Sequence, residues 1–169
     1  MARAGIALGS NLGDRMAYLQ SACDHLREIA DDSDVFLTAP VYQSVPSDCP
    51  PDSPDFLNTV VEFEFQGSPE SLLEKTQAIQ AKMGRDEKSE RNAPRVIDLD
   101  ILYLSEAVVK GTVLELPHPR MTERRFVLKP LVDICPDLVL PDQVVTVAEL
   151  LALLPHDDLP LVAMDDGLN

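Results

Sequence analysis

Two rhythms of apolar residues run along the chain, one with helical and one with strand spacing, and together they predict its elements. Met16, Leu19, Cys23, Leu26 and Ile29 recur at three- and four-residue steps. That stripe predicts a helix from about Asp14 to Ile29, with Asp14 as its cap. Leu72, Leu73, Thr76, Ile79 and Met83 predict a second helix, opened by Ser68-Pro69-Glu70 and closed by Gly84. Strands are predicted at Ala4 to Leu8, Val35 to Tyr42, Phe56 to Phe65 and Val96 to Leu104. Pro40 has no N–H to give to a ladder, so the second strand reads as an edge. Val61, Phe63 and Phe65 alternate with Glu62 and Glu64, so the third reads as half-buried. A short helix begins near Thr122, and the capping box Thr146-Val147-Ala148-Glu149 opens a last one through Leu154. The stretch after Pro155 carries neither rhythm and reads as a poorly tied tail.

The order strand, helix, strand, strand, helix, strand implies an α+β fold: a ferredoxin-like βαββαβ sheet with helices packed on it and a helical C-terminal extension. No linker interrupts it, so residues 1–169 read as a single domain. Two stretches escape both rhythms. Residues 45–55 carry four prolines, and 85–94 are almost wholly polar. Both read as surface loops long enough to carry function.

Composition narrows the setting. No run approaches 18 apolar residues, so no membrane span is expected, and the first residues lack a secretory pattern. Three scattered cysteines, Cys23, Cys49 and Cys135, fit neither a disulfide framework nor a zinc knuckle, and the expected location is cytoplasmic. The net charge of -15 disfavours a nucleic-acid partner. Nine of the fourteen cations nevertheless fall in two windows, Lys82, Arg85, Lys88, Arg91 and Arg95, then Arg120, Arg124, Arg125 and Lys129. They either sit on solvated loops or grip something small and anionic.

The sharpest chemistry lies in Arg95-Val96-Ile97-Asp98-Leu99-Asp100-Ile101. Alternation along a strand puts Asp98 and Asp100 on one face, roughly 7 Å apart, and Ile97, Leu99 and Ile101 on the other. Such a pair suits a hard cation, and it equally suits a solvated strand face carrying two acids. The neighbourhood favours the cation. Arg91 and Arg95 lie just upstream, and His118, presented between Pro117 and Pro119, can converge with Arg124. Acids beside bases suit a metal-bound polyphosphate. Phe56 and Phe126 are either core residues or the two sides of a ring-binding slot. Asn58 lies two residues past Phe56 on the same face and offers a donor and an acceptor together. Gly9-Ser10-Asn11-Leu12-Gly13 follows a strand and precedes a helix, but lacks the lysine of a phosphate loop and reads as a tight turn.

Taken together, Gly9 to Asp14, Phe56-Leu57-Asn58, Arg95 to Asp100, Pro117-His118-Pro119-Arg120-Met121 and Arg124 to Leu128 resemble the 6-hydroxymethyl-7,8-dihydropterin pyrophosphokinases, over nearly the whole chain. The resemblance implies transfer of pyrophosphate from ATP to the pterin hydroxymethyl group, giving AMP and the pterin diphosphate in folate biosynthesis. It implies Asp98 and Asp100 as ligands of two Mg2+ ions, and Arg91 and Arg95 as arginines that close over ATP. Gln77, Gln80, Ile101, His118 and Arg124 fall on the ATP side. Phe56, Asn58 and Phe126 fall on the pterin side, with Ser44, Val45 and Ser47 beside them and Asp98 shared. The implied partners are small molecules alone, and the implied state is a monomer. This chain departs from the family's pattern at Gln80, where an acid is frequent, at Glu87 and Asn92, at Phe56, where tyrosine also occurs, and at Pro119. Other readings of the same architecture are a small-ligand regulatory module, an RNA-binding sheet and a Mg-dependent kinase that makes ADP.

Overall fold

The structure is a computed structural model that describes residues 2–45, 54–84, 96–155 and 160–169. Strand β1 (Arg3–Ser10) leads into helix α1 (Arg15–Ile29), and the Asp14 carboxylate caps that helix by accepting from the Ala17 N–H at 3.2 Å. Strands β2 (Leu37–Thr38), β3 (Tyr42–Ser44) and β4 (Phe56–Glu64) follow. Helix α2 (Pro69–Lys82) starts on the Ser68 hydroxyl, which accepts from the Ser71 N–H at 3.0 Å, and stops at Gly84 with φ +90°. Strand β5 (Asp98–Leu104), a hairpin of β6 (Val109–Lys110) and β7 (Glu115–Leu116), helices α3 (Arg125–Ile134) and α4 (Val147–Leu153) and strand β8 (Leu161–Ala163) complete the chain. Thr146 and Glu149 form the capping box expected at the start of α4.

The main sheet has the order β5-β1-β4-β3-β8, with β2 also paired to β4, and every pairing in it is antiparallel. It is a mixed helix-and-sheet fold with one core on each face. Ile6, Leu8, Leu57, Val61, Phe63, Leu99 and Ile101 pack against Leu19, Leu26, Leu72 and Ile79 of α1 and α2. On the opposite face Val60, Leu102 and Tyr103 pack against Val127, Leu128 and Leu131 of α3 and Val147 of α4. The register of β1 on β5 shifts between Gly5 and Ile6, and Gly5 gives room there: a Cβ on it would lie 2.3 Å from the Tyr103 ring.

Three expectations change. The strand expected from Val35 to Tyr42 is two short strands, interrupted where Pro40 has no N–H to donate, and Thr59 Oγ1 bonds the Ala39 and Pro40 carbonyls instead. Strand β4 is buried on both faces rather than one. Glu62 is only 7% exposed because Arg3 Nη2 lies 2.7 Å from it, and Tyr103 Oη and Cys135 Sγ donate to it. Its polar alternation therefore marks a buried ion pair and not a solvated face. The tail is not loose, and the C-terminal part is not purely helical. Strand β8 pairs along β3, Met164 N–H donates to Val41 O at 2.8 Å, and Asn169 N–H donates to Gln20 Oε1 at 2.9 Å. Three residues are too few to show an alternation in sequence.

Candidate functional site

Strand register alone assembles a row of residues across the sheet on the α3 face. Asp98 of β5 lies opposite Gly9 of β1, Gly9 opposite Asn58 of β4, and Asn58 opposite Tyr42 of β3. Directly opposed residues share a face, and Asp98 and Asn58 stand two strand spacings apart, about 10 Å. Asp100 lies in the next row, opposite Ala7. Both aspartates are half-buried, whereas Leu99 and Ile101 point into the opposite core at 6% and 5% exposure.

Gly9 leaves the middle of this row bare. A Cβ there would sit 3.3 Å from Asn58 Oδ1 and 3.6 Å from the Phe56 ring, so both side chains border the same depression. Asn58 Nδ2 donates to Ser44 Oγ at 2.6 Å, which fixes the amide and leaves its Oδ1 toward Gly9. Val45 continues from β3 as an exposed residue. Phe126 stands half-buried in the first turn of α3, with the Arg124 guanidinium 5.7 Å from its ring centroid.

The basic side of the site comes from the turn before α3. The Leu116–Pro117 peptide is cis, and His118 N–H donates to the Leu102 carbonyl at 2.8 Å, tying the turn to β5. Burial, then the cations Arg124 and Arg120, push the His118 pKa down against the pull of Asp98. The imidazole is therefore neutral at pH 7, consistent with its Nδ1 accepting from the Arg120 N–H at 3.2 Å. Burial and Arg120 also lower Arg124, while Asp100 and Asp98 raise it, so this guanidinium feels both carboxylates. On the far side of β5, Gln80 Oε1 accepts from the Leu99 N–H at 2.8 Å. Gln77 lies one turn earlier on α2 and is exposed. Alternation puts the Ile101 N–H on the same outer edge as that of Leu99. The Ile101 side chain itself stays in the core, away from the carboxylates.

The structure thus gathers Asp98, Asp100, Phe56, Asn58, Ser44, Phe126, His118 and Arg124 about one end of the sheet. Arg91, Arg95 and Ser47 lie outside the described residues, as do Glu87 and Asn92 and most of the two long loops. Sequence reasoning did not bring Gly9 and Tyr42 into this row, because only the register reveals them. Among the described residues no three or more His, Cys, Asp or Glu side chains gather into a metal cluster. Two aspartates alone are a poor donor set for zinc. They fit magnesium, which takes its remaining ligands from phosphate and water.

Residues 5–136 match the sequence model of the family described as 7,8-dihydro-6-hydroxymethylpterin-pyrophosphokinase. A 2-amino-4-hydroxy-6-hydroxymethyldihydropteridine pyrophosphokinase of Methylorubrum extorquens is 41% identical over 160 residues, 91% of this chain and 94% of its own. Its counterpart in Bacillus subtilis is 42% identical over 130 residues, 77% of this chain and 76% of its own. The chain also spans 22% of a folic acid synthesis protein of Schizosaccharomyces pombe, at 37% identity, and 21% of one from Pneumocystis carinii. In fold, it superposes on wild-type Plasmodium falciparum HPPK-DHPS with a TM-score of 0.67 and 15% identity, covering 89% of this chain and 44% of that one. Matched over most of its length both by the family's sequence model and by full-length relatives, the chain belongs to the 7,8-dihydro-6-hydroxymethylpterin-pyrophosphokinase family.

Proposed function

We propose that this protein transfers pyrophosphate from ATP to the hydroxymethyl group of 6-hydroxymethyl-7,8-dihydropterin, releasing AMP, as a step of folate synthesis. The observation that carries this reading is the row Asp98–Gly9–Asn58. A flat bicyclic ring lying over the bare glycine puts its amino-pyrimidinone edge at the Asn58 amide. Its hydroxymethyl group then falls toward Asp98. Phe56 borders one side of the ring and Phe126 stands at the other. Ser44 holds the amide, and Val45 and Ser47 continue the pterin side of the pocket.

The triphosphate belongs over Asp98, Asp100, His118 and Arg124. Arg124 neutralises phosphate charge, and His118, neutral as it is held, donates a hydrogen bond through Nε2. Gln77, Gln80 and the outer edge of β5 at Ile101 are assigned to the nucleotide side. Arg91 and Arg95 are assigned to the phosphates on the motif match alone. Asp98 and Asp100 would hold two Mg2+ ions, which when bound supply charge neutralisation and acidify the substrate hydroxyl. The hydroxyl oxygen attacks the β-phosphorus, the bond to the bridging oxygen of the α-phosphate breaks, and the hydroxyl proton leaves to solvent. The protein contributes mainly position and charge.

The finer fold reading is a ferredoxin-like βαββαβ sheet forming one domain over 1–169. It is supported by the central order β5-β1-β4-β3 and by α1 and α2 sharing one face. The net charge of -15 supports small-molecule partners over nucleic acid. We assign the protein to the cytoplasm, acting as a monomer. The test is nucleotide product analysis with ATP, magnesium and 6-hydroxymethyl-7,8-dihydropterin. AMP formed only when the pterin is present supports the reading. ADP, or no product from a folded protein that binds ATP, refutes it.

A further inference from the structure

We propose that Tyr42 is a positioning residue for the ring: anchored to α3 through Asp133, it sets the angle of that helix against β3 and so where Phe126 stands over the strand floor of the slot. The inference rests on the preceding reading, in which the pterin lies on that floor. Tyr42 is 7% exposed and stands directly opposite Asn58, at the end of the row that begins with Asp98. Its phenol donates to Asp133 Oδ2, and Asp133 Oδ1 accepts from Lys129 Nζ at 2.9 Å. The same ammonium lies 6.0 Å from the Tyr42 ring centroid. Burial, then the neighbouring carboxylate of Asp133, raises the Tyr42 pKa and keeps the phenol a donor.

The geometry gives this contact leverage. Phe126, Lys129 and Asp133 follow three- and four-residue spacing and form one flank of α3, distinct from Val127, Leu128 and Leu131, which face the core. Asp133 lies two turns, about 10 Å, along the helix from Phe126. The core contacts hold α3 down on the sheet. The Tyr42–Asp133 bond fixes its sideways angle against β3, and hence where Phe126 stands relative to Asn58. Strand β3 is braced from the other side, where Tyr42 lies opposite Ala163 of β8. Tyr42 therefore reaches α3 from a strand held on both edges, and the helix takes its angle from that strand.

Pterin affinity, read from the ligand's own fluorescence in the presence of an unreactive ATP analogue, and steady-state kinetics of Tyr42→Phe, Asp133→Ala and the double variant test the proposal. Each single variant is expected to raise the Kd and KM for the pterin by about fivefold, with kcat and the KM for ATP close to wild type. The double variant is expected to be no worse than the poorer single one, because both remove the same contact. Asp133→Asn, which keeps an acceptor for the phenol, is expected to restore most of the affinity. Melting temperatures that fall while pterin Kd and KM stay unchanged would overturn the proposal and leave the contact as a brace of the fold. Should Tyr42→Phe fail to fold, Asp133→Ala reads the same bond from a partly exposed side chain. Wild-type protein that makes no AMP refutes the underlying reaction instead. Wild-type turnover with insensitive variants refutes only the role of Tyr42.

Discussion

Replacing Gly9 by alanine probes the site with one methyl group. The strand backbone at Gly9 accepts an alanine, and the new Cβ meets Asn58 Oδ1 at 3.3 Å and Phe56 at 3.6 and 3.9 Å, contacts that a shift of a few tenths of an ångström relieves. Loss of glycine's freedom in the unfolded chain favours the native state by about 0.4–1 kcal/mol. The fold should therefore keep or slightly gain stability. The ligand meets the opposite effect. A ring resting about 3.5 Å above a bare Cα finds a carbon projecting about 1.5 Å toward it. Overfilling a packed slot by one methyl costs about 1–3 kcal/mol, or roughly 5- to 150-fold in Kd. Titration of the pterin by its fluorescence, beside urea denaturation of the same samples, separates the two effects. An unchanged pterin Kd in stably folded Gly9→Ala protein would show that the ring does not lie over this residue.

Other perturbations address separate parts of the structure. Asp98→Ala and Asp100→Ala should each reduce AMP formation to background while the protein stays folded, since both side chains are only half-buried and stand outside the two cores; unfolding in either variant would make these acids structural. Gly5→Ala should destabilise the protein by about 1–3 kcal/mol in urea denaturation, because its Cβ would lie 2.3 Å from the buried Tyr103 ring; wild-type stability would mean that the ring has room to move. Burial, reinforced by the Glu62 carboxylate, pushes the Cys135 thiol up from 9.0 to about 12. At pH 8 its alkylation should be roughly a thousandfold slower than that of an unperturbed thiol. A raised pKa also means that the native state holds its proton more tightly than the unfolded chain. The associated stability is full below pH 9 and is lost as pH rises toward 12, so Cys135→Ser should flatten the alkaline part of the stability curve.

The sequence made the helices legible because their signals are local. Asp14, Ser68 and the Thr146–Glu149 box cap helices within a residue of where they were expected. The carboxylate pair was legible for a similar reason, since alternation within one strand sets the faces of Asp98 and Leu99. What depends on pairing between distant segments was not. Glu62 looked solvent-facing because its partners Arg3, Tyr103 and Cys135 come from three other parts of the chain. Gly9 looked like the start of a turn, yet it belongs to β1, where the β1–β5 and β1–β4 registers bring Asp98 and Asn58 to its two sides. Strand β8 was invisible because its role lies in the edge it covers, not in its own three residues.

The position of β4 has a consequence for how ligand binding reports on the molecule. This strand has β1 along one side and β2 and β3 along the other, with a core above and below. The amides in the middle of such a strand open with free energies near that of global unfolding, and Phe56 and Asn58 stand on the same strand. A ligand seated on those residues slows exchange at amides that open through global unfolding by its full binding free energy, RT ln(1 + [L]/Kd). Exchange at Val60 and Val61, which do not border the bare glycine, would measure pterin affinity as faithfully as exchange at Asn58 itself.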